Sequence, residues 1–119
     1  MATLQGTWRF ETLGGAPLPD EVRHAPWLTF DGDGQVYGLA GVNRVRGTWQ
    51  LEESRLTFGP VVSTLMAGPD EAMACERQVV ELLNSALDVH ADGDRLELRL
   101  DGRSGATLVR DEHAGDTPV

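Results

Sequence analysis

Side-chain character alternates every second residue over most of this chain, a period that selects extended backbone with one apolar and one solvated face. Leu4, Gly6, Trp8 and Phe10 fall on one side of a first strand, with Gln5, Thr7, Arg9 and Glu11 on the other. Gly14-Gly15-Ala16-Pro17 ends that strand, and the proline-containing stretch to Pro26 reads as a surface loop, because each proline removes a ladder donor. Two extended runs, Trp27 to Phe30 and Gln35 to Leu39, flank Asp31-Gly32-Asp33-Gly34. Asp-Gly tolerates the positive φ of tight turns, so these residues read as a hairpin. From Arg44 to Leu51, Val45, Gly47, Trp49 and Leu51 alternate with Arg44, Arg46, Thr48 and Gln50. The arginines are expected to face water and the Trp to pack inward. Short strands follow at Leu56 to Phe58, Val61 to Met66, Asp88 to Ala91, Arg95 to Leu100 and Ala106 to Arg110.

The period changes once. From Pro69, the residues Ala72, Met73, Val79, Val80, Leu83, Ala86 and Leu87 form one stripe at helical spacing, opposite Glu71, Arg77, Gln78 and Glu81; this is an amphipathic helix. Pro69 suits a first turn, and the carboxylates of Asp70 and Glu71 favour the positive end of the helix dipole. About eight or nine short antiparallel strands leave more edge than an open sheet tolerates. The expected fold is therefore mainly β, a barrel-like rolled sheet with one helix plugging or packing against it. Trp8, Trp49, Phe30, Phe58 and Leu83 are its expected core. Gly6-Thr7-Trp8 and Gly47-Thr48-Trp49 echo each other, too briefly for a repeat architecture but enough to suggest similar strand environments.

The chain is 119 residues, the size of one domain, with a net charge of -9 at pH 7. All ten basic residues are Arg, and no lysine-rich patch exists to follow phosphates, so nucleic acid is not an expected partner. Scattered carboxylates describe a solvated, self-repelling surface, and a monomer is expected. The apolar runs fall short of the ~20 residues that span a bilayer, and the sequence opens without a basic and an apolar signal region. The expected location is cytoplasmic, becoming exported or periplasmic if a signal or lipoprotein anchor was removed. Cys75 stands alone and has no internal disulfide partner.

Ordered motifs identify a family resemblance. Gly6-Thr7-Trp8, Leu28-Thr29-Phe30-Asp31, Gly41-Val42-Asn43-Arg44, Gly47-Thr48-Trp49, Leu56-Thr57-Phe58-Gly59-Pro60, Ser63-Thr64-Leu65-Met66-Ala67 and Glu76 resemble, in order, the motifs of the META domain (HslJ-like) family. The resemblance runs from about Leu4 to Arg110, giving a domain at residues 3–110 and a flexible acidic tail at 111–119. It implies a small barrel-like domain without catalytic residues or cofactor, associated in bacteria with stress and often with the envelope. Where the family commonly carries two cysteines, this chain has Val42 and Gly68; their joint absence fits a dispensable bond and weakens the case for export.

The residues that carry the resemblance also define the candidate site: Asn43, Arg44, Thr64 and Glu76 are expected to form a polar cluster for structure or binding. An Asn at a strand junction satisfies loop backbone groups as readily as a ligand. A partly buried Glu76 needs a partner, for which Arg44 and Thr64 are candidates. Asp31 to Gln35 opens like a calcium loop, but Val36 stands where Gly is required and Val42 where the closing Glu is required. His24, His90 and His113 are too dispersed for zinc, so no metal is expected. Ser54, Ser63, Ser85, Ser104 and Cys75 lie in no nucleophile motif, leaving no residue in a catalytic role.

The expectation is a noncatalytic domain, stress- or envelope-related, that binds an unknown protein or a small apolar ligand. Two alternatives stand beside it: a lipocalin-like carrier of an apolar ligand, and a small enzyme using an unrecognised carboxylate site. A barrel cavity favours the carrier, and a filled barrel favours the interaction module.

Overall fold

A computed structural model describes residues 4–19, 22 and 24–114. Among them are ten strands and one helix. β1 (Gly6–Leu13), β2 (Ala16–Pro17), β3 (Trp27–Phe30), β4 (Gln35–Leu39), β5 (Arg44–Glu52), β6 (Arg55–Phe58) and β7 (Val62–Ser63) precede the helix α1 (Asp70–Leu83). β8 (Leu87–Asp92), β9 (Arg95–Leu100) and β10 (Arg103–Arg110) follow it. The strands run antiparallel in the order β10-β9-β8-β6-β5-β4-β3-β1, and β1 pairs again with β10, which closes an eight-stranded barrel. Closure removes the free edges that an open sheet would expose. β2 and β7 are short extra strands off this ring: β2 pairs with the end of β1 beyond its pairing with β3, and β7 with the start of β5 beyond its pairing with β6.

Inward residues fill the lumen. Trp8, Phe10, Leu28, Phe30, Leu56 and Leu108 are fully or almost fully buried. The indole N–H of Trp8 donates to the Leu4 carbonyl at 2.9 Å, so its burial leaves no orphan donor. Arg110 lies over the same ring, 4.3 Å from its centroid. It also crosses Gly6, where a Cβ would collide with the guanidinium, which explains the glycine two residues before this Trp.

The second Gly-Thr-Trp differs. Gly47 makes room for Pro60 and Val61, whereas Trp49 is only partly buried and packs against the core. Its ring meets Phe30 edge-on at 5.5 Å, and its indole N–H reaches the Asp31 carbonyl at 3.1 Å. Phe58 is also partly buried, while Leu83 is buried.

The helix lies across one mouth of the barrel. Its Ala72 carbonyl abuts Gly41 between β4 and β5, Gln78 approaches Gly14 after β1, and Leu82 approaches Gly105 in β10. Cys75, Val79, Leu82 and Leu83 form its buried stripe. Burial pushes the Cys75 thiol upward, away from thiolate chemistry.

Three boundaries differ from the periodicity. The helix stops at Leu83: the Asn84 N–H caps carbonyls of the last turn, and Ser85 Oγ donates to the Glu81 carbonyl. Leu87, although in helical phase, belongs to β8 opposite Leu56. Ala16–Pro17 returns from the Gly14-Gly15 turn to pair with Thr12 and Leu13, so the expected loop begins as a hairpin. At the other end, the Asp111 N–H donates to the Thr7 carbonyl and its carboxylate meets Arg9 at 3.1 Å. Asp111 is thus tied to β1, residues 112–114 turn back on it through the His113 and Ala114 N–H groups, and the last part of the expected tail, 115–119, lies outside the described residues.

The unequal burial of the two tryptophans predicts unequal costs. Trp8→Ala should lose about 3–5 kcal/mol and Trp49→Ala about half as much, read by denaturant titration. Equal losses would contradict the placement of Trp49 at the margin of the core.

Candidate functional site

Asn43 is the one buried polar residue among the described residues, 3% exposed, in the turn between β4 and β5. A buried amide offers two acceptor sites and two donors, each costly to leave unmade. All four are filled. Oδ1 accepts from Thr64 Oγ1 at 2.9 Å and from the Met66 N–H at 2.7 Å. Nδ2 donates to the Met66 carbonyl at 3.0 Å and to Glu76 Oε2 at 2.8 Å.

Glu76 supplies the other half of the site from the helix. Its Oε1 accepts the N–H of Val42 at 3.0 Å and of Asn43 at 2.6 Å. The carboxylate therefore caps a turn whose own N–H groups have no ladder partner. This requires a close approach of α1, and Gly41 permits it: a Cβ there would overlap the Ala72 carbonyl and press on Glu76 Cβ. Burial alone would raise the Glu76 pKa, but the hydrogen bonds from the Asn43 side chain and from the Asn43 and Val42 backbones outweigh it and hold the carboxyl below its usual range.

Beyond the turn, Asn43 behaves as a strand residue. Its amide engages both backbone groups of Met66, as a peptide unit in a ladder would, while the Thr64 N–H donates to the Arg44 carbonyl at 3.1 Å. Thr64 Oγ1 in turn accepts the Arg44 N–H at 3.1 Å. The result prolongs the β5–β7 pairing past Ser63. This explains why the extended run to Met66 contains regular strand only at Val62–Ser63: side chains replace backbone in the rest.

The structure thus places Asn43, Thr64 and Glu76 in one network. Arg44 joins through its backbone alone. Its side chain is exposed, so neither it nor Thr64 is the direct partner of Glu76, a role taken by Asn43 and the Val42 N–H. Sequence reasoning missed Val42 and Met66 because only their backbones take part, and periodicity carries no signal for that. The resemblance's two departures also meet here. A Cβ on Gly68 would lie 3.4 Å from Val42 Cβ, close to the short end of the Cβ separations that disulfides span; in this chain the isopropyl group of Val42 fills that space instead.

The other candidates are turn and surface features. Asp31 Oδ1 accepts the N–H groups of Asp33 and Gln35, both at 2.9 Å, which uses the carboxylate to shape the hairpin turn. His24 and His90 are exposed. Among the described residues, no group of three or more His, Cys, Asp or Glu side chains is placed to hold a metal ion, and no helix is long and apolar enough to cross a membrane.

The depressed pKa gives a pH test with a definite sign. Because the folded-state value lies below the unfolded one, the stabilisation from Glu76 is complete above about pH 4.5 and is lost as pH falls through the folded value. In Glu76→Gln, an amide donor must face the Asn43 amide donor, which should cost about 1–3 kcal/mol near neutrality. Denaturant titrations should show the gap between wild type and variant closing below that pH. A gap independent of pH would refute this role for the carboxylate.

Comparisons with known proteins agree with this architecture. No curated protein matches the chain. A protein of known NMR structure from Burkholderia xenovorans has 21% identity and a TM-score of 0.73, over 91% of this chain and 83% of that one. A second NMR structure has 19% identity and a TM-score of 0.74, over 92% and 96%. The crystal structure of a DUF4847 family protein from Bacteroides vulgatus has 19% identity and a TM-score of 0.67, over 92% and 94%. At these identities the likeness concerns the fold. The family model for the META domain matches residues 2–115, nearly the whole sequence. The chain belongs to the META domain family.

Proposed function

We propose that this domain is a noncatalytic interaction module that holds a partner on its outer surface, in a stress- or envelope-related setting of the kind its family resemblance suggests. The observation that carries the reading is the segment after β7. Val62, Leu65 and Met66 are 67%, 95% and 61% exposed, yet the backbone of this segment is fastened at Val62 by Arg46, at Thr64 by Arg44 and at Met66 by Asn43. A mobile loop would be expected to fold its apolar side chains away. Here the buried network holds them in water, a cost consistent with a contact surface kept ready for use.

The filled lumen supports the same reading over a lipocalin-like carrier, since aromatic and leucine side chains occupy the space an interior ligand would need. It also speaks against a carboxylate enzyme that Glu76, the carboxylate of the central network, spends both oxygens on neighbouring groups of its own chain.

The test is a paired capture from an extract of the host cell, using wild type and Leu65→Ser/Met66→Ser. Both side chains are solvent-facing, so the variant should unfold within about 0.5 kcal/mol of wild type and should lose the protein that wild type retains. Equal retention by both would sink the reading.

A further inference from the structure

Closure of the barrel leaves β2 and β7 as the strands with one neighbour each among the described residues. β2 contains Pro17 and is followed by Pro19, and proline lacks the N–H that a further strand would need. β7 has no such guard. Residues 61–67 contain neither proline nor charge, although exposed edges are ordinarily blunted by one or the other.

The geometry also shows which groups that edge offers. In an antiparallel strand, alternate residues turn both backbone groups to the same side. The Thr64 N–H points to Arg44 and the Met66 N–H to Asn43, so Ser63 and Leu65 turn theirs to the open side. Asn43 and Glu76 fix this line of groups before any partner arrives, which lowers the ordering cost of adding a strand.

Register assigns the side chains beside the edge. Thr29 pairs with Tyr37, Tyr37 with Arg46, and Arg46 with Val62; Trp27 pairs with Leu39, and Leu39 with Arg44. Cross-strand partners share a face, so the two arginines stand on the outside of the barrel between aromatic residues and β7. Trp27, Tyr37, Arg44, Arg46 and Val62 line an open groove of about 430 Å³. Arg46 lies over the Tyr37 ring at 5.4 Å. Arg9, Arg55, Arg95, Arg99 and Arg110 each reach a carboxylate; Arg44 and Arg46, like Arg77 and Arg103, have no carboxylate partner among the described residues, but Arg44 and Arg46 stand side by side on one face of one strand.

We infer that the β7 edge and this groove together receive an extended acidic peptide segment of a partner protein, which adds as a strand beside Ser63 and Leu65 and directs carboxylates toward Arg44 and Arg46. Arg44 and Arg46 are two residues apart on one strand, about 6.8 Å, which equals the spacing of alternate side chains in an extended peptide. Alternating acidic and apolar residues would thus present charge to both guanidiniums on the outer face and apolar surface on the opposite face, the side of Ser63 and Leu65. A second copy of this chain is disfavoured as occupant, because it would bring its own arginine pair and its own charge of -9.

The inference rests on the interaction-module reading but is separable from it. Fluorescence anisotropy with a labelled Val-Glu-Val-Glu-Val-Thr peptide should show saturable binding, weakened at least about tenfold in Arg44→Glu/Arg46→Glu and by raising salt from about 50 to 500 mM. Ser63→Pro removes one outward N–H while sparing the β5 bonds and should weaken binding similarly, with circular dichroism used to verify that each variant is folded. Absence of saturable binding, equal binding of the peptide with Lys in place of Glu, or undiminished binding by folded Arg44→Glu/Arg46→Glu would overturn the inference. So would capture of phosphatidylglycerol vesicles without capture of the peptide. If the peptide fails to bind while Leu65→Ser/Met66→Ser still loses its captured protein, this inference falls and the interaction module stands.

Discussion

A buried amide must satisfy four hydrogen-bonding positions without help from water, and in this domain that requirement joins three separate pieces of chain. Asn43 can occupy the turn between β4 and β5 only because Glu76 comes from the helix to accept its N–H groups and because Thr64 and the Met66 backbone complete its other sites. The helix cannot reach this position unless residue 41 is Gly. One polar cluster therefore sets the seat of the helix on the barrel mouth and the path of the strand-like segment that follows β7. Satisfied networks of this kind specify a single arrangement because a partial version leaves unpaired groups in low dielectric.

The barrel and the cluster divide the work. The barrel is closed, its lumen is filled, and its helix covers one mouth, so the interior is used for stability. Function, on this account, is moved to the outside, where the cluster prolongs a two-residue strand into an ordered edge and a pair of arginines, without carboxylate partners among the described residues, borders it. The net charge of -9 sharpens the contrast, since it weighs against general attraction of anionic partners.

Much of the fold was legible because burial leaves a period-two trace. Trp8, Phe10 and Phe30 announced inward faces, and the Asp-Gly turn announced its hairpin. The single change of period located the helix. What was not legible has specific causes. Ala86 and Leu87 kept helical phase although Asn84 and Ser85 had already closed the helix with backbone-directed bonds. Trp49 shares a motif with Trp8 yet sits at the margin, because burial depends on position in the barrel and not on the tripeptide. The family resemblance brought Asn43, Thr64 and Glu76 together; it did not reveal that Val42 and Met66 contribute backbone, since a main-chain donor leaves no mark in side-chain pattern. The run Val61 to Met66 read as an ordinary strand, so the exposure of Leu65 and Met66 was hidden in what looked like interior sequence.

The central claim is that a carboxylate on the helix orders a loop it does not touch, through Asn43. Native-state amide hydrogen exchange reads this directly. In the wild type, the Met66 amide should be protected and the neighbouring Leu65 amide should exchange freely; in Glu76→Gln, Met66 should lose protection although its own hydrogen-bond acceptor, Asn43, is unchanged. Exchange at Met66 as fast as at Leu65 in the wild type, or protection at Met66 that survives the loss of the Glu76 carboxylate, would contradict the account.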